Sequence, residues 1–289
     1  MDFMTAMHGA GSGKALHYIE GEWLEGNPPI MGPMTHAAWM ASVVFDGARA
    51  FEGVTPDLDR HCERLIHSAK AFGLKPVVSA GEALEIAQDG VSRFDRDAAL
   101  YIRPMFFAES GFVSPDPEST RFCCTVYETP MPDAKGFSVC ISSFRRPLYS
   151  MAPTDTKASC LYPNSARALR EAADKGFDNA VVLDGLGNVA ELATANLWMA
   201  KDGAAHTPIP NGTFLNGITK QRTAKLLQEA GIAVYERTIT LDELRDADEI
   251  FTSGNYGKII PITKLEERDL QPGPIAAKAR ELYWDWALG

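Results

Sequence analysis

The chain has 289 residues, of which 45% are hydrophobic and 23% charged, a balance that suits a globular protein large enough for two domains. Its net charge of −10 repels polyanions, so nucleic acid is excluded as an expected partner. No apolar run approaches the length that spans a bilayer, and Asp2, His8 and Lys14 interrupt the N-terminus before a signal peptide could build, so neither a membrane nor a secretory route is expected.

In chain order, the first dozen residues, ending in the G-A-G-S-G around Gly9 to Gly13, read as a loose arm. H-Y-I-E-G-E-W from His17 alternates like strands about a Glu-Gly turn, and Pro28, Pro29 and Pro33 mark a loop. Val43 to Phe45 reads as a buried strand, continued by Arg49 and Phe51 past a bend at Gly47. Leu58, Leu65, Ala69 and Phe72 form the apolar face of a helix closed by Gly73, and a second helix is expected over 80–94. Strands follow at L-Y-I-R-P-M-F-F-A from Leu100 and over 121–128. E-T-P-M-P-D-A-K-G is the best linker, which gives an N-terminal domain over 1–128, a linker over 129–136 and a C-terminal domain over 137–289.

The second half predicts a strand over 136–144, a helix over 165–175 and hairpins turning at D-G-L-G-N and K-D-G. A helix over 217–230, a Thr240/Glu243 capping box, two strands flanking the turn of S-G-N-Y-G-K, and a last helix opened by Pro274 complete it. The fold class is α/β (α+β) with two domains. Five cysteines, Cys62, Cys123, Cys124, Cys140 and Cys160, form no C-x-x-C pair and read as reduced structural thiols of a cytoplasmic protein. The histidines lack metal spacing, and the G-x-S-x-G at Gly9 to Gly13 lacks the strand and helix of a nucleophile elbow.

Chemistry concentrates between Thr156 and Asn196. Lys157 lies among small residues with Tyr162 shortly after it, and Glu191 stands in an otherwise apolar or small segment, Val189 to Ala193. L-N-G-I-T, Leu215 to Thr219, opens a helix. A lysine, a tyrosine, a buried carboxylate and a helix start together fit pyridoxal 5'-phosphate. The lysine can form a Schiff base, the carboxylate can hold the ring nitrogen, and the helix start can take the phosphate. An amine that attacks must be neutral, so desolvation of Lys157 is expected. Read singly, Lys157 would be a surface lysine, Glu191 a solvent-facing strand residue and Tyr162 a core tyrosine.

In order and spacing, these segments resemble the class IV (fold-type IV) aminotransferases, from about His36 to the C-terminus, and most of all the branched-chain amino acid aminotransferases. The resemblance implies a smaller N-terminal α/β domain and a larger C-terminal domain with the cofactor between them. It implies Lys157 as the catalytic residue and Tyr162 at the cofactor's ring hydroxyl. Arg64 in H-C-E-R-L, Leu215, Gly217, Ile218, Thr219 and the Ser253-Gly254-Asn255 turn would bind the phosphate side. Asn255 replaces a threonine there, which implies a changed or lost phosphate contact. Phe45, Arg49, Tyr101, Arg103 and Tyr256 would line the substrate.

Within that family, Tyr101-Ile102-Arg103-Pro104 resembles the Y-I-R-P strand whose arginine meets the distal carboxylate of glutamate. The expected activity is amino transfer between a branched-chain L-amino acid and 2-oxoglutarate by a ping-pong cycle, in a homodimer or larger homo-oligomer. Met40, Asp46, Asn255 and Tyr256 depart from the branched-chain pattern. An (R)-amine or D-amino acid transaminase is the alternative, then a lyase resembling aminodeoxychorismate lyase, then a non-enzymatic relative.

Overall fold

A computed structural model of the chain describes residues 13–289; the N-terminal arm expected before them lies outside the described residues. These residues divide into two compact units, one comprising 13–131 with Asp155–Tyr162, the other Pro132–Thr154 with Pro163–Gly289. No helix among them is long and apolar enough to cross a membrane.

In the first unit, β1 (Ala15–Ile19) and β2 (Glu22–Glu25) form the expected hairpin. A short helix, α1 (His36–Met40), precedes β3 (Val43–Phe45) and β4 (Ala48–Ala50). Helices α2 (Leu58–Ala71) and α3 (Ala80–Ser92) follow, close to their expected limits, then β5 (Leu100–Ala108) and β6 (Thr120–Glu128). The sheet runs β2-β1-β6-β5-β3, with β4 also on β5, and every pair is antiparallel. Leu58, Cys62, Leu65 and Ala69 form the buried stripe of α2, packed with Ala83 and Ala87 of α3 and with Ile102, Phe106, Cys124 and Val126 of the sheet. Alternation along β5 buries Leu100, Ile102, Pro104 and Phe106, while Tyr101, Arg103 and Met105 face the other way. Helix α3 starts with a reciprocal cap that the sequence reading missed: Glu82 N donates to Ser79 Oγ, and Ser79 N donates to Glu82 Oε2 at 2.7 Å.

The segment Asp155–Tyr162 corrects the sequence-based division, which put Lys157 in the C-terminal domain. Ala158 bridges Val44, Phe45 N donates to Lys157 O at 3.0 Å, and Ser159 Oγ donates to Val43 O at 3.0 Å. Backbone pairing with β3, a partner distant in sequence, decides where this segment lies.

The second unit contains β7 (Phe137–Arg145), α4 (Tyr162–Asp174) from Pro163 on, β8 (Asn179–Leu183), β9 (Val189–Leu192), β10 (Asn196–Lys201), β11 (Ala204–Pro208) and α5 (Ile218–Glu229). After them come β12 (Val234–Arg237), α6 (Leu241–Arg245), β13 (Glu249–Gly254), β14 (Lys258–Leu265), β15 (Arg268–Asp269) and α7 (Pro274–Leu288). The strand order is β12-β11-β10-β13-β14-β7-β8-β9, with β15 on β14. Both faces of this sheet are covered. Leu197 and Ile250 point into one core with Val181, Leu192 and Ile262; Trp198 and Phe251 point into another with Leu227 of α5 and Tyr283 of α7. The Thr240/Glu243 capping box forms as expected.

One buried charge organises the first unit. Asp46, 0% exposed, lies at the bend between β3 and β4. It accepts from Arg64 Nε at 2.7 Å and Nη2 at 2.8 Å, and its Oδ1 lies 2.7 Å from His61 Nδ1, so α2 is bound to the bend. Burial alone would raise the Asp46 carboxyl, but Arg64 and His61 outweigh it and hold the group well below the usual carboxylate range. Its folded pKa is therefore depressed. The stabilisation is present above the unfolded value of about 3.9 and is lost as pH falls below it toward the folded value. Asp46→Asn leaves Arg64 without its counter-charge and should cost about 3–5 kcal/mol in urea unfolding at pH 7. The variant's stability should also fall less steeply than wild type below about pH 4. Equal stability of the two proteins at pH 7 would show that the pair contributes nothing.

Candidate active site

Two groups of polar side chains stand out from the cores, one in each unit. In the first unit the group centres on Lys157. Its backbone N donates to Ser68 Oγ at 3.1 Å and its carbonyl is held by Phe45, so the residue is fixed at both peptide ends. The amine donates to Tyr162 Oη at 2.8 Å and lies 5.1 Å from the centre of the Phe45 ring, which itself packs 5.1 Å from the Tyr162 ring. Tyr162 is 40% exposed, which rules out an ordinary core tyrosine.

Desolvation of Lys157 was expected to favour the neutral amine. Burial does pull its pKa down, as does Arg64, but Tyr162, Asp46 and Tyr101 push it up and the balance ends above the ordinary lysine value. A phenol carries charge only in the alkaline range, so at neutral pH the amine sees burial and Arg64 against Asp46 alone. Arg64 spends Nε and Nη2 on Asp46, which leaves Nη1 without a hydrogen bond among the described residues.

Tyr101 and Arg103 share the outward face of β5. Tyr101 Oη fits against Gly47 so closely that a Cβ there would lie 2.1 Å from it, which explains the glycine at this bend. The Tyr101 and Tyr127 rings lie 5.5 Å apart, and the Arg103 guanidinium sits 5.6 Å from the centre of the Tyr127 ring. Arg103 has no ion pair among the described residues, so the structural ion pair that was its ordinary alternative is absent there. Arg49 is different. It is 0% exposed, and its guanidinium donates to Thr129 O at 2.9 Å and to Met131 Sδ, which ties β4 to the end of β6. The expected substrate contact at Arg49 therefore belongs to a side chain that the fold uses internally.

In the second unit, Glu191 sits on β9, opposite Val182 of β8. Its Oε1 lies 3.2 Å from Arg146 Nε, and Asn196 Nδ2 lies 3.3 Å from Oε2. Arg146, 8% exposed, also donates to Thr213 O at 3.0 Å. The sequence reading missed Arg146; its only local signal is R-R-P after β7, which does not point to a carboxylate far along the chain. Asn196 links these groups to the start of α5, donating to Leu215 O at 3.0 Å. A Cβ on Gly217 would lie 2.0 Å from Asn196 Oδ1, so only glycine lets the helix start approach so closely. Helix α5 has no side-chain cap, and the N–H groups of its first turn, Ile218 and Thr219 among them, suit an acceptor outside the helix.

Ser253 on β13 pairs in register with Asn196, and its hydroxyl accepts from Trp198 Nε1 at 2.8 Å. Gly254 ends the strand, and Tyr256 lies half-buried in the turn beyond it. Asn255 Oδ1 accepts from Lys258 Nζ at 2.8 Å, while Asn255 Nδ2 is buried without a hydrogen-bond partner. An unpartnered buried donor, a hydroxyl two residues before it and an uncapped helix start each suit an anion such as a phosphate ester. Taken group by group, the chemistry fits pyridoxal phosphate: an anchored amine suits its aldehyde, a carboxylate its ring nitrogen and these donors its phosphate.

Comparison with known proteins agrees. The family model described as amino-transferase class IV matches residues 43–265. The branched-chain-amino-acid aminotransferase of Pseudomonas aeruginosa is 30% identical over 288 residues, which cover 94% of this chain and 92% of that protein. An aminotransferase from Brucella abortus, solved bound to the cofactor PLP, is 50% identical with a TM-score of 0.94, covering 96% of this chain and 100% of that one. The Escherichia coli branched-chain amino acid aminotransferase is 27% identical with a TM-score of 0.89, covering 96% and 95%. With the family model matched over most of its length, this chain belongs to the class IV aminotransferases.

Proposed function

We propose that the protein is a pyridoxal-phosphate-dependent transaminase that moves an amino group between a branched-chain L-amino acid and 2-oxoglutarate by a ping-pong cycle. The observation that carries this is the Lys157 amine, held 2.8 Å from Tyr162 on a segment anchored at both peptide ends. Bound pyridoxal phosphate supplies an aldehyde to take the amino group and an electron-withdrawing ring. Lys157 would hold the aldehyde carbon and then, as a free amine, carry the proton from the substrate α-carbon. Tyr162 Oη keeps Nζ in place and would also meet the ring hydroxyl. Glu191, which Arg146 Nε meets at 3.2 Å, would accept from the ring nitrogen. Arg64 Nη1, Ile218 and Thr219 N–H, Ser253 Oγ and Asn255 Nδ2 would donate to the phosphate.

Substrate choice rests on the outward face of β5. Arg103, without an ion pair among the described residues and 5.6 Å from the centre of the Tyr127 ring, can meet a distal carboxylate when glutamate binds and stay solvated when leucine does. The free thiols, buried except for Cys160, fit the reduced cytoplasmic setting expected from the sequence. A homodimer is supported by the exposed apolar group of Trp39, Phe112 and Val113, at 48%, 79% and 72% exposure, which a second copy would cover.

Borohydride treatment of the purified yellow protein should fix pyridoxal phosphate to the peptide carrying Lys157 and to no other. Cofactor fixed elsewhere would remove Lys157 from its role. Arg103→Met should slow the half-reaction with glutamate about ten- to a hundred-fold, the worth of a charge-assisted hydrogen bond, and leave the half-reaction with leucine nearly intact. An equal fall in both would make Arg103 structural. Wild type that ignores both donors but accepts (R)-amines or D-amino acids would replace the branched-chain reading with that alternative. Light scattering should give at least twice the chain mass, and full activity in a monomer would refute the homodimer.

A further inference from the structure

We propose that Lys258 sets the direction of the Asn255 side chain so that its amide N–H groups serve as donors to the cofactor phosphate. This rests on the pyridoxal-phosphate reading above. The turn 255–257 joins β13 to β14, and the paired residues Gly254 and Lys258 close it. Lys258 is 1% exposed and has a φ of +59°, in the left-handed region where glycine is the ordinary occupant. A long cationic side chain is thus kept at a disfavoured backbone position and buried as well, a combination that points to a role for the side chain.

What the side chain does follows from its chemistry. An ammonium group can only donate hydrogen bonds, so the group that faces Lys258 Nζ at 2.8 Å must be the carbonyl oxygen of Asn255. The two ends of an asparagine amide are otherwise hard to tell apart; here the lysine decides between them. With Oδ1 turned to Lys258, Nδ2 is the other end of the amide, buried and unpartnered. Its two N–H groups call for an acceptor.

The surroundings suit a phosphate. Ser253, two residues earlier, accepts from Trp198 and so keeps its own proton for another acceptor. Ser253 is paired with Asn196, whose side chain touches the Gly217 start of α5, so β13 and the uncapped helix converge on one neighbour. From the sequence alone, asparagine at 255 implied a changed or lost phosphate contact. The geometry instead assigns it a donor, provided that Lys258 holds the amide in this orientation. Lys258 acts through Asn255 and is a positioning residue.

The test uses the full-length chain stripped of cofactor and titrated separately with pyridoxal phosphate and with pyridoxal, which lacks the phosphate. Lys258→Gly relieves the left-handed backbone but empties a buried position, so it is titrated below its own melting temperature and beside Lys258→Met, which keeps the stem without the donor. Each should weaken pyridoxal phosphate about ten- to a hundred-fold and leave pyridoxal unchanged. Asn255→Ala should do the same, and the double variant should lose no more than either single one, because both remove one interaction. Additive losses, equal weakening of both ligands, or unchanged affinity in Lys258→Gly would each overturn the positioning role while wild type still binds the cofactor. Failure of the wild-type chain to bind pyridoxal phosphate would overturn the functional reading, and this proposal with it.

Discussion

The first unit depends on a carboxylate with no access to water. Asp46 is wholly buried, and a buried charge is tolerated only when paired and hydrogen-bonded. Arg64 meets it with two parallel bonds and His61 with a third, so three polar groups that would each be costly alone are satisfied together. The arrangement fixes the bend after Phe45, and Phe45 in turn holds the carbonyl of Lys157. The position of Lys157 thus follows from an electrostatic requirement one residue beyond the strand to which it is pinned. The same charges act on the amine, with Asp46 favouring its proton and Arg64 opposing it.

The second unit works by a different constraint. Its sheet is covered on both faces, so the strand interiors are apolar and the polar groups gather toward the ends of β9, β10 and β13. There each one needs a partner. Glu191 has Arg146, Asn196 has Leu215, and Ser253 has Trp198. The amide nitrogen of Asn255 stands out against this background because its neighbours are satisfied and it is not. Alternation along β10 and β13 keeps bulky Trp198 and Phe251 stacked on one side, 5.6 Å apart, so the polar residues beside them sit on a stiff base.

The sequence by itself determined what depends on neighbours in the chain. The stripe of α2, the alternation of β5, the turn between β13 and β14, the capping box of α6 and the proline that opens α7 were all legible, because local periodicity and turn chemistry set them. Lys157, Tyr162 and Glu191 stood out because their residue types, order and spacing match one family. Only the tertiary structure decided which distant groups meet. It seated Lys157 beside β3, gave Glu191 the guanidinium of Arg146, turned Arg49 inward, bound Arg64 to Asp46 and set Lys258 against Asn255. Those pairings follow from strand register and side-chain reach across long sequence separations, and the hydrophobic pattern of a chain carries no record of which buried charge will answer which.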